Sequence, residues 1–189
     1  MKKATYEDKI MVVDILMNSF FDNSSVNYII RQNEKKSLRL KYLMDYSFDL
    51  CYFFGEIYLS EDGQACALIL FPEKKKNRLK SVLLDIKFIM RSLDLAHLKK
   101  AIVRDSKIKK LQPKGLQYYL WFIGVQPMEQ GKGIGSRLLT QVIKKGSESG
   151  RPVLLETSRI DNVEWYKKFG FELYNQLDLG YQLYFMKRE

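Results

Sequence analysis

"IGVQPMEQGKGIGSRLL", Ile123 to Leu139, carries the chain from an apolar run into an amphipathic one and sets three of its eleven glycines, 131, 133 and 135, at alternate positions between them. Glycine loses the most backbone freedom on folding, so it is placed where φ must be positive or where a group must come close to the backbone. Ahead of the glycines, "LQYYLWFIGV" reads as a strand from its aromatic and β-branched residues; it hardly alternates, which predicts burial on both faces. After them, Ile134, Leu138, Leu139, Val142 and Ile143 keep a helical period that Gly150 is placed to end. The stretch is a strand–turn–helix unit. Its turn is either a plain connection or a cradle in which the amides of Gly131 to Ser136 and the helix dipole meet an anionic group.

Two familiar phosphate patterns do not fit. A P-loop needs glycine where Gln126 stands and Ser or Thr where Gly133 stands. The dinucleotide fingerprint comes nearer, with Gly131, Gly133, Ser136 in the third place and Glu156 about 20 residues on as the ribose acid. Residues 157 to 189 are too few for the further strand–helix units such a fold needs.

Upstream, Thr5 with Asp8 three residues later starts a helix in which Ile10, Val13, Leu16, Met17 and Phe20 keep the period. "FFDNSSVN" interrupts it, and a second helical region from about Asn27 reaches about Leu50 through Leu38, Leu40, Leu43, Met44 and Phe48. The period then falls to two: "YFFGEIYLSEDGQACALILFP" predicts a hairpin around the turn cluster Ser60 to Gly63, closed by Pro72. A basic helical segment follows at about 77–111, with Leu79, Val82, Leu83, Ile86, Ile89 and Met90 on one side; a packed helix with a charged outer face is expected. Downstream of Gly150, "RPVLLETS" is a strand, Asn162 to Phe169 a short helix stopped by Gly170, and "FELYNQL" and "YQLYFM" two closing strands. No linker or repeat divides the chain. Residues 1–189 read as one α+β domain with a mixed sheet and a helical insert.

The 189 residues are 46% hydrophobic and 29% charged, which is enough for a real core. The longest apolar run, "ACALILF", is far short of a membrane span, and Glu7, Asp8, Lys9 and Asp14 break any signal-peptide core, so a cytoplasmic protein is expected. With 32 basic against 22 acidic residues the formal charge is +10, which attracts polyanions without choosing among them. Much of it lies in short runs such as "KKK" at 74–76, the usual mark of a solvated face. His97 is the only histidine, and Cys51 and Cys66 are two scattered thiols expected to be buried, so neither a metal site nor a Ser/His/Asp centre is expected.

"IGVQPMEQGKGIGSRLL" followed by "LLETSRIDNVEWYKKFGF" resembles the GCN5-related N-acetyltransferase (GNAT) superfamily, whose signature Gln/Arg-x-x-Gly-x-Gly/Ala is supplied here by Gln130, Gly133 and Gly135. Asn162, Tyr166 and the Gly170–Phe171 pair resemble the family's later motif. With its "LETS" strand and helical insert, the chain is most similar to puromycin N-acetyltransferase-like enzymes. The likeness is specific over about Leu120 to Phe171. It implies a splayed mixed sheet holding acetyl-CoA in its cleft, with pantetheine along Ile123, Gly124 and Val125. The pyrophosphate would lie on Gln130, Gly131, Lys132, Gly133, Ile134, Gly135 and Ser136, and Asn162 and Tyr166 would touch the cofactor. No metal is implied, and a homodimer is compatible.

Acetyl transfer to an amine needs a neutral nucleophile, a polarised carbonyl and a proton for the leaving thiolate. Tyr166 is the candidate acid, because a phenol stays protonated at neutral pH; its aromatic setting also suits a core residue. Asn162 could equally cap a helix. The central strand from Gln117 to Val125 has no Asp, Glu or His to act as base, which leaves Glu156, and more weakly Glu56, or an amine that arrives already neutral. A peptide amine acceptor or a non-catalytic acetyl-CoA sensor stand as alternatives. The net positive charge disfavours cationic polyamines, the aromatics lie in core-like strands rather than on a nucleic-acid face, and no membrane partner is expected. The expected acceptor is a small amine with apolar bulk, enclosed by Phe20 to Ile30 and the insert.

Overall fold

Residues 1–75, 78–92 and 95–189 are described by the computed structural model. Lys76, the end of the basic run, and Asn77, where the insert was expected to begin, lie outside the described residues.

The N-terminal half builds one face of the molecule. After a short strand β1 (Lys2–Lys3), the Asp8 carboxylate accepts from the Thr5 N–H at 2.8 Å and starts a 3-10 turn that runs into α1 (Lys9–Phe20). Helix α1 buries Val12, Val13, Ile15 and Leu16; Ile10, expected on that face, is exposed. Instead of one helical region from Asn27, two helices form, α2 (Ser24–Ile29), capped by the Asn23 side chain, and α3 (Lys36–Phe54). The aromatic run Tyr52 to Phe54, expected to open the hairpin, completes α3: Leu50, Cys51 and Phe54 continue its buried face, which holds the helix to the last residue before Gly55. The hairpin itself is β2 (Gly55–Leu59) and β3 (Ala65–Leu70). Cys51 and Cys66 are both buried and free, as expected, and burial pushes both thiols up.

The insert follows as α4 (Pro72–Lys75), α5 (Leu79–Ser92) and α6 (Leu95–Leu111). Helix α5 packs on α3, but most of the face expected to be buried points outward, and of that stripe Ile89 alone is half-buried. Leu79, Val82, Leu83, Ile86 and Met90 are exposed, while Ser81 is buried and Leu84 and Phe88 rest on the core. What fixes the rotation is polar and aromatic: Phe88 stacks on Tyr46 with centroids 4.6 Å apart, and Asp85 accepts from Tyr46 Oη at 2.5 Å and from Lys75 Nζ at 3.1 Å.

Strand β4 (Tyr118–Val125) leads through a 3-10 turn and the glycine loop into α7 (Ile134–Glu148), then β5 (Val153–Thr157), α8 (Ile160–Lys167), β6 (Glu172–Asp178) and β7 (Gln182–Arg188). Strand β4 alternates between buried and half-buried residues rather than being buried throughout. The strands make one sheet in the order β1-β2-β3-β4-β5-β7-β6, antiparallel except for the β4–β5 pair. Apolar side chains of α1 and α3 cover one face, those of α7 and α8 the other. The whole is the mixed, helix-flanked α+β domain that the sequence predicts. Among the described residues no helix is long and apolar enough to cross a membrane.

Candidate active site

Strands β4 and β5 are joined at only two residue pairs, Tyr118 with Val153 and Tyr119 with Leu154, and part beyond them. On its other edge β4 stays paired with β3 as far as Val125, but Leu68 opposes Phe122 while Ile69 opposes Leu120. Trp121 is thus an extra residue, and such a bulge bends its strand and adds twist. Between the parted strands lies a cleft of about 120 Å3, walled by Leu120 to Ile123 of β4 and by residues 155–158, and reaching from α1 and α2 to Asn162 and Tyr166 of α8.

Glu156 lines this cleft. Its carboxylate accepts from Gln112 Nε2 at 2.9 Å and from the Tyr119 hydroxyl. Burial raises its pKa above the ordinary carboxylate value, and the two hydrogen bonds and the Arg104 charge oppose that shift without cancelling it. Tyr166 lies on the same cleft, 5% exposed, its ring edge-on to Phe171 at 5.5 Å. Burial lifts its phenol well above the usual range, and among the described residues its hydroxyl has no hydrogen-bond partner. Asn162 stands inside α8, where Arg159 takes the N-cap, so the capping role is excluded; its Nδ2 donates to Thr157 Oγ1 at 3.4 Å, and it too lines the cleft. Glu56 is occupied elsewhere: it accepts from Tyr58 and Tyr118 hydroxyls at 2.9 and 2.8 Å and does not line the cleft.

The glycine loop sits at the end of β4. Gly131 and Gly133 have φ of 79° and 78°, a left-handed conformation that other residues adopt only under strain, and Gly133 is the N-cap of α7. Two such residues in three turn the backbone so that, among the described residues, the N–H groups of Gly131 to Ser136 donate to no acceptor. A run of free amides at a helix start is what an anionic group requires. Gln130 anchors the loop by donating from Nε2 to the Val125 carbonyl at 3.2 Å, and Ile134 is buried, so each holds the cradle's shape. Lys132 pairs with Glu129 at 2.9 Å, and Arg137, not foreseen from sequence, reaches back to the Lys132 carbonyl at 3.4 Å. Two of the expected contacts serve packing: a Cβ on Gly124 would stand 2.9 Å from Ser19 Oγ, and one on Gly135 would stand 3.2 Å from Val125 Cγ2.

Sequence reasoning missed Gln112, Tyr119, Arg104 and Ser158, all tied to Glu156 or the cleft. Only Ser158, the last letter of "LETS", had a local signal; its Oγ is buried with no partner among the described residues. A larger, open depression of about 640 Å3 beside Thr140, Lys144 and Arg188 carries none of the expected residues.

Residues 99–173 match the acetyltransferase (GNAT) domain family. An uncharacterized N-acetyltransferase of Schizosaccharomyces pombe is 34% identical over 71 residues, which is 37% of this chain and 29% of that protein's length. The fold is similar to the crystal structure of histone acetyltransferase HPA2 and related acetyltransferase from Corynebacterium glutamicum, with a TM-score of 0.75 over 98% of this chain and 93% of that one at 20% identity. It is also similar to an N-acetyltransferase from Staphylococcus aureus, with a TM-score of 0.60 over 99% and 98% at 18% identity. At these identities the likeness establishes the fold, a GNAT-like sheet split between its two central parallel strands.

Proposed function

We propose that this chain is an acetyl-CoA-dependent N-acetyltransferase that acts on the primary amine of a small molecule. The observation that carries the reading is the parting of β4 from β5. It gathers Glu156, Asn162 and Tyr166 on one cleft, while the free amides of Gly131 to Ser136 stand at the end of the same strand. The fit to the donor is chemical: free amides at a helix start for a diphosphate, and beyond Tyr119 a β4 edge that β5 does not pair, for the amides of an extended arm.

Acetyl-CoA, when bound, supplies a thioester whose acyl carbon accepts the amine and whose sulfur leaves. The chain's own groups handle the protons. Glu156, with its pKa raised toward the working pH, takes the proton of the acceptor ammonium directly or through a water. Tyr166, protonated at any physiological pH and free of other partners among the described residues, gives its proton to the departing sulfur and recovers, through water, the second proton that the acceptor nitrogen sheds as it becomes an amide. Asn162 and Ser158 supply polar contacts between them. The "LETS" strand and the helical insert favour a small-molecule enzyme of the puromycin N-acetyltransferase-like kind.

The test is thiol release from acetyl-CoA over a panel of small amines, polyamines and basic peptides. Release that depends on a small amine supports the reading; release with peptides alone moves the acceptor class. Donor binding without release for any amine would make the chain a sensor.

A further inference from the structure

Among the described residues, the side chains that line the cleft include only two charges, Glu156 and Arg104, and the Arg104 charge favours the ionised form of Glu156. Arg104 comes from α6, in the insert, and reaches across to the opposite end of the chain. Its Nη2 donates to Ser25 Oγ at 2.6 Å and its Nε to Tyr181 Oη at 3.0 Å, with Tyr181 Oη in turn 3.3 Å from Ser25 Oγ. Both partners are neutral hydroxyls. Among the described residues no carboxylate lies within ion-pair distance of the guanidinium, and nothing takes the Nη1 protons. The neighbouring wall is cationic and aromatic as well: Lys100 Nζ lies 5.8 Å from the Tyr28 ring, which packs on Tyr181 at 5.4 Å.

A half-buried guanidinium positioned by hydroxyls, with its outer N–H groups unclaimed, suits a planar anion bound through two parallel hydrogen bonds. The second charge of the same cleft, the Glu156 carboxylate, suits an ammonium. We infer that the acceptor carries a carboxylate as well as its amine, and that Arg104 is the residue that selects it, with Ser25 and Tyr181 as positioning residues. The aromatic wall of Phe20, Trp121 and Phe122 accommodates an apolar side chain. This inference rests on the transferase reading and narrows its acceptor from any small amine to an amino acid.

The experiment compares phenylalanine and γ-aminobutyrate, each with its carboxamide and its decarboxylated amine, in two measurements: thiol release, and calorimetric titration of the acetyl-CoA-loaded protein. The carboxylate form should exceed both neutral forms about ten- to a hundred-fold in kcat/KM and in affinity, the range of a charge-assisted hydrogen bond. Arg104→Met and Arg104→Gln, with native circular dichroism, should erase that preference, bringing the carboxylate form to within about two-fold of its carboxamide and its decarboxylated amine. Equal handling of acid and amide by the unaltered protein, binding of no carboxylate-bearing amine, or a preference that survives both variants each overturns the inference. Carboxylate-selective binding without any thiol release would remove the transferase reading and leave the Arg104 site standing.

Discussion

Tyr166 keeps its proton because its ring is buried against Phe171 and Trp165, not because a neighbour holds it. Tyr166→Phe removes the hydroxyl and little volume, so donor affinity should persist while kcat falls about 10²- to 10⁴-fold; an unchanged kcat across the pH range would return the residue to packing. Glu156 titrates above its ordinary value, and the base form is the ionised one. Activity should therefore rise with pH through that raised pKa, and the acidic limb of kcat/KM should lie above the usual carboxylate range. Glu156→Gln should abolish the limb. Tyr119→Phe is the sharper probe. The Tyr119 hydrogen bond favours the ionised carboxylate, so losing it should move the limb to higher pH without removing it. A limb that stays in place in both variants belongs to another group.

Helix α5 shows how an element can turn the wrong way for its own periodicity. Its apolar stripe has the spacing of a buried face, yet Leu79, Val82, Leu83, Ile86 and Met90 are exposed and only Ile89 of the stripe is half-buried. The orientation is decided by what α3 and α4 offer, namely the Tyr46 ring of α3 for Phe88, and the Tyr46 hydroxyl with the Lys75 ammonium of α4 as donors for Asp85. The two orientations predict opposite mutational costs. In the observed one, Phe88→Ala should destabilise by about 1–2 kcal/mol, whereas Leu83→Gln and Ile86→Gln should stay within about 0.5 kcal/mol of the parent in denaturant melts. The reverse ranking would mean that the stripe is packed. The same insert brings Arg104 to the cleft and leads into Gln112, which holds Glu156, so its contribution to the site comes from α6 and the segment after it rather than from the stripe.

The whole molecule is two sheet halves joined through a two-pair seam between β4 and β5, with α7 laid across it. A ligand that fills the split binds only the folded chain. At a hundred times its Kd, acetyl-CoA should add about 2.7 kcal/mol, or roughly 5–10 °C in Tm for a chain of this size; no shift at saturating donor would argue against a donor site in the split. The sequence by itself determined the strand–loop–helix order, the hairpin, the closing strands and the tight glycine loop, because these are set by local periodicity and by φ values that only glycine reaches easily. It also singled out Glu156 and Tyr166, through a pattern of residues close together in the chain. Tertiary structure alone decided that Glu56 is tied up on the other face and that Asn162 caps nothing. It also decided that α5 turns most of its stripe outward, and that Gln112 and Tyr119 meet at Glu156 while Arg104 reaches the same cleft, from segments up to 79 residues away from their partners. The physical reason is that burial, pKa and hydrogen-bond partnership are properties of neighbours in space, and where β4 parts from β5 those neighbours come from both ends of the chain.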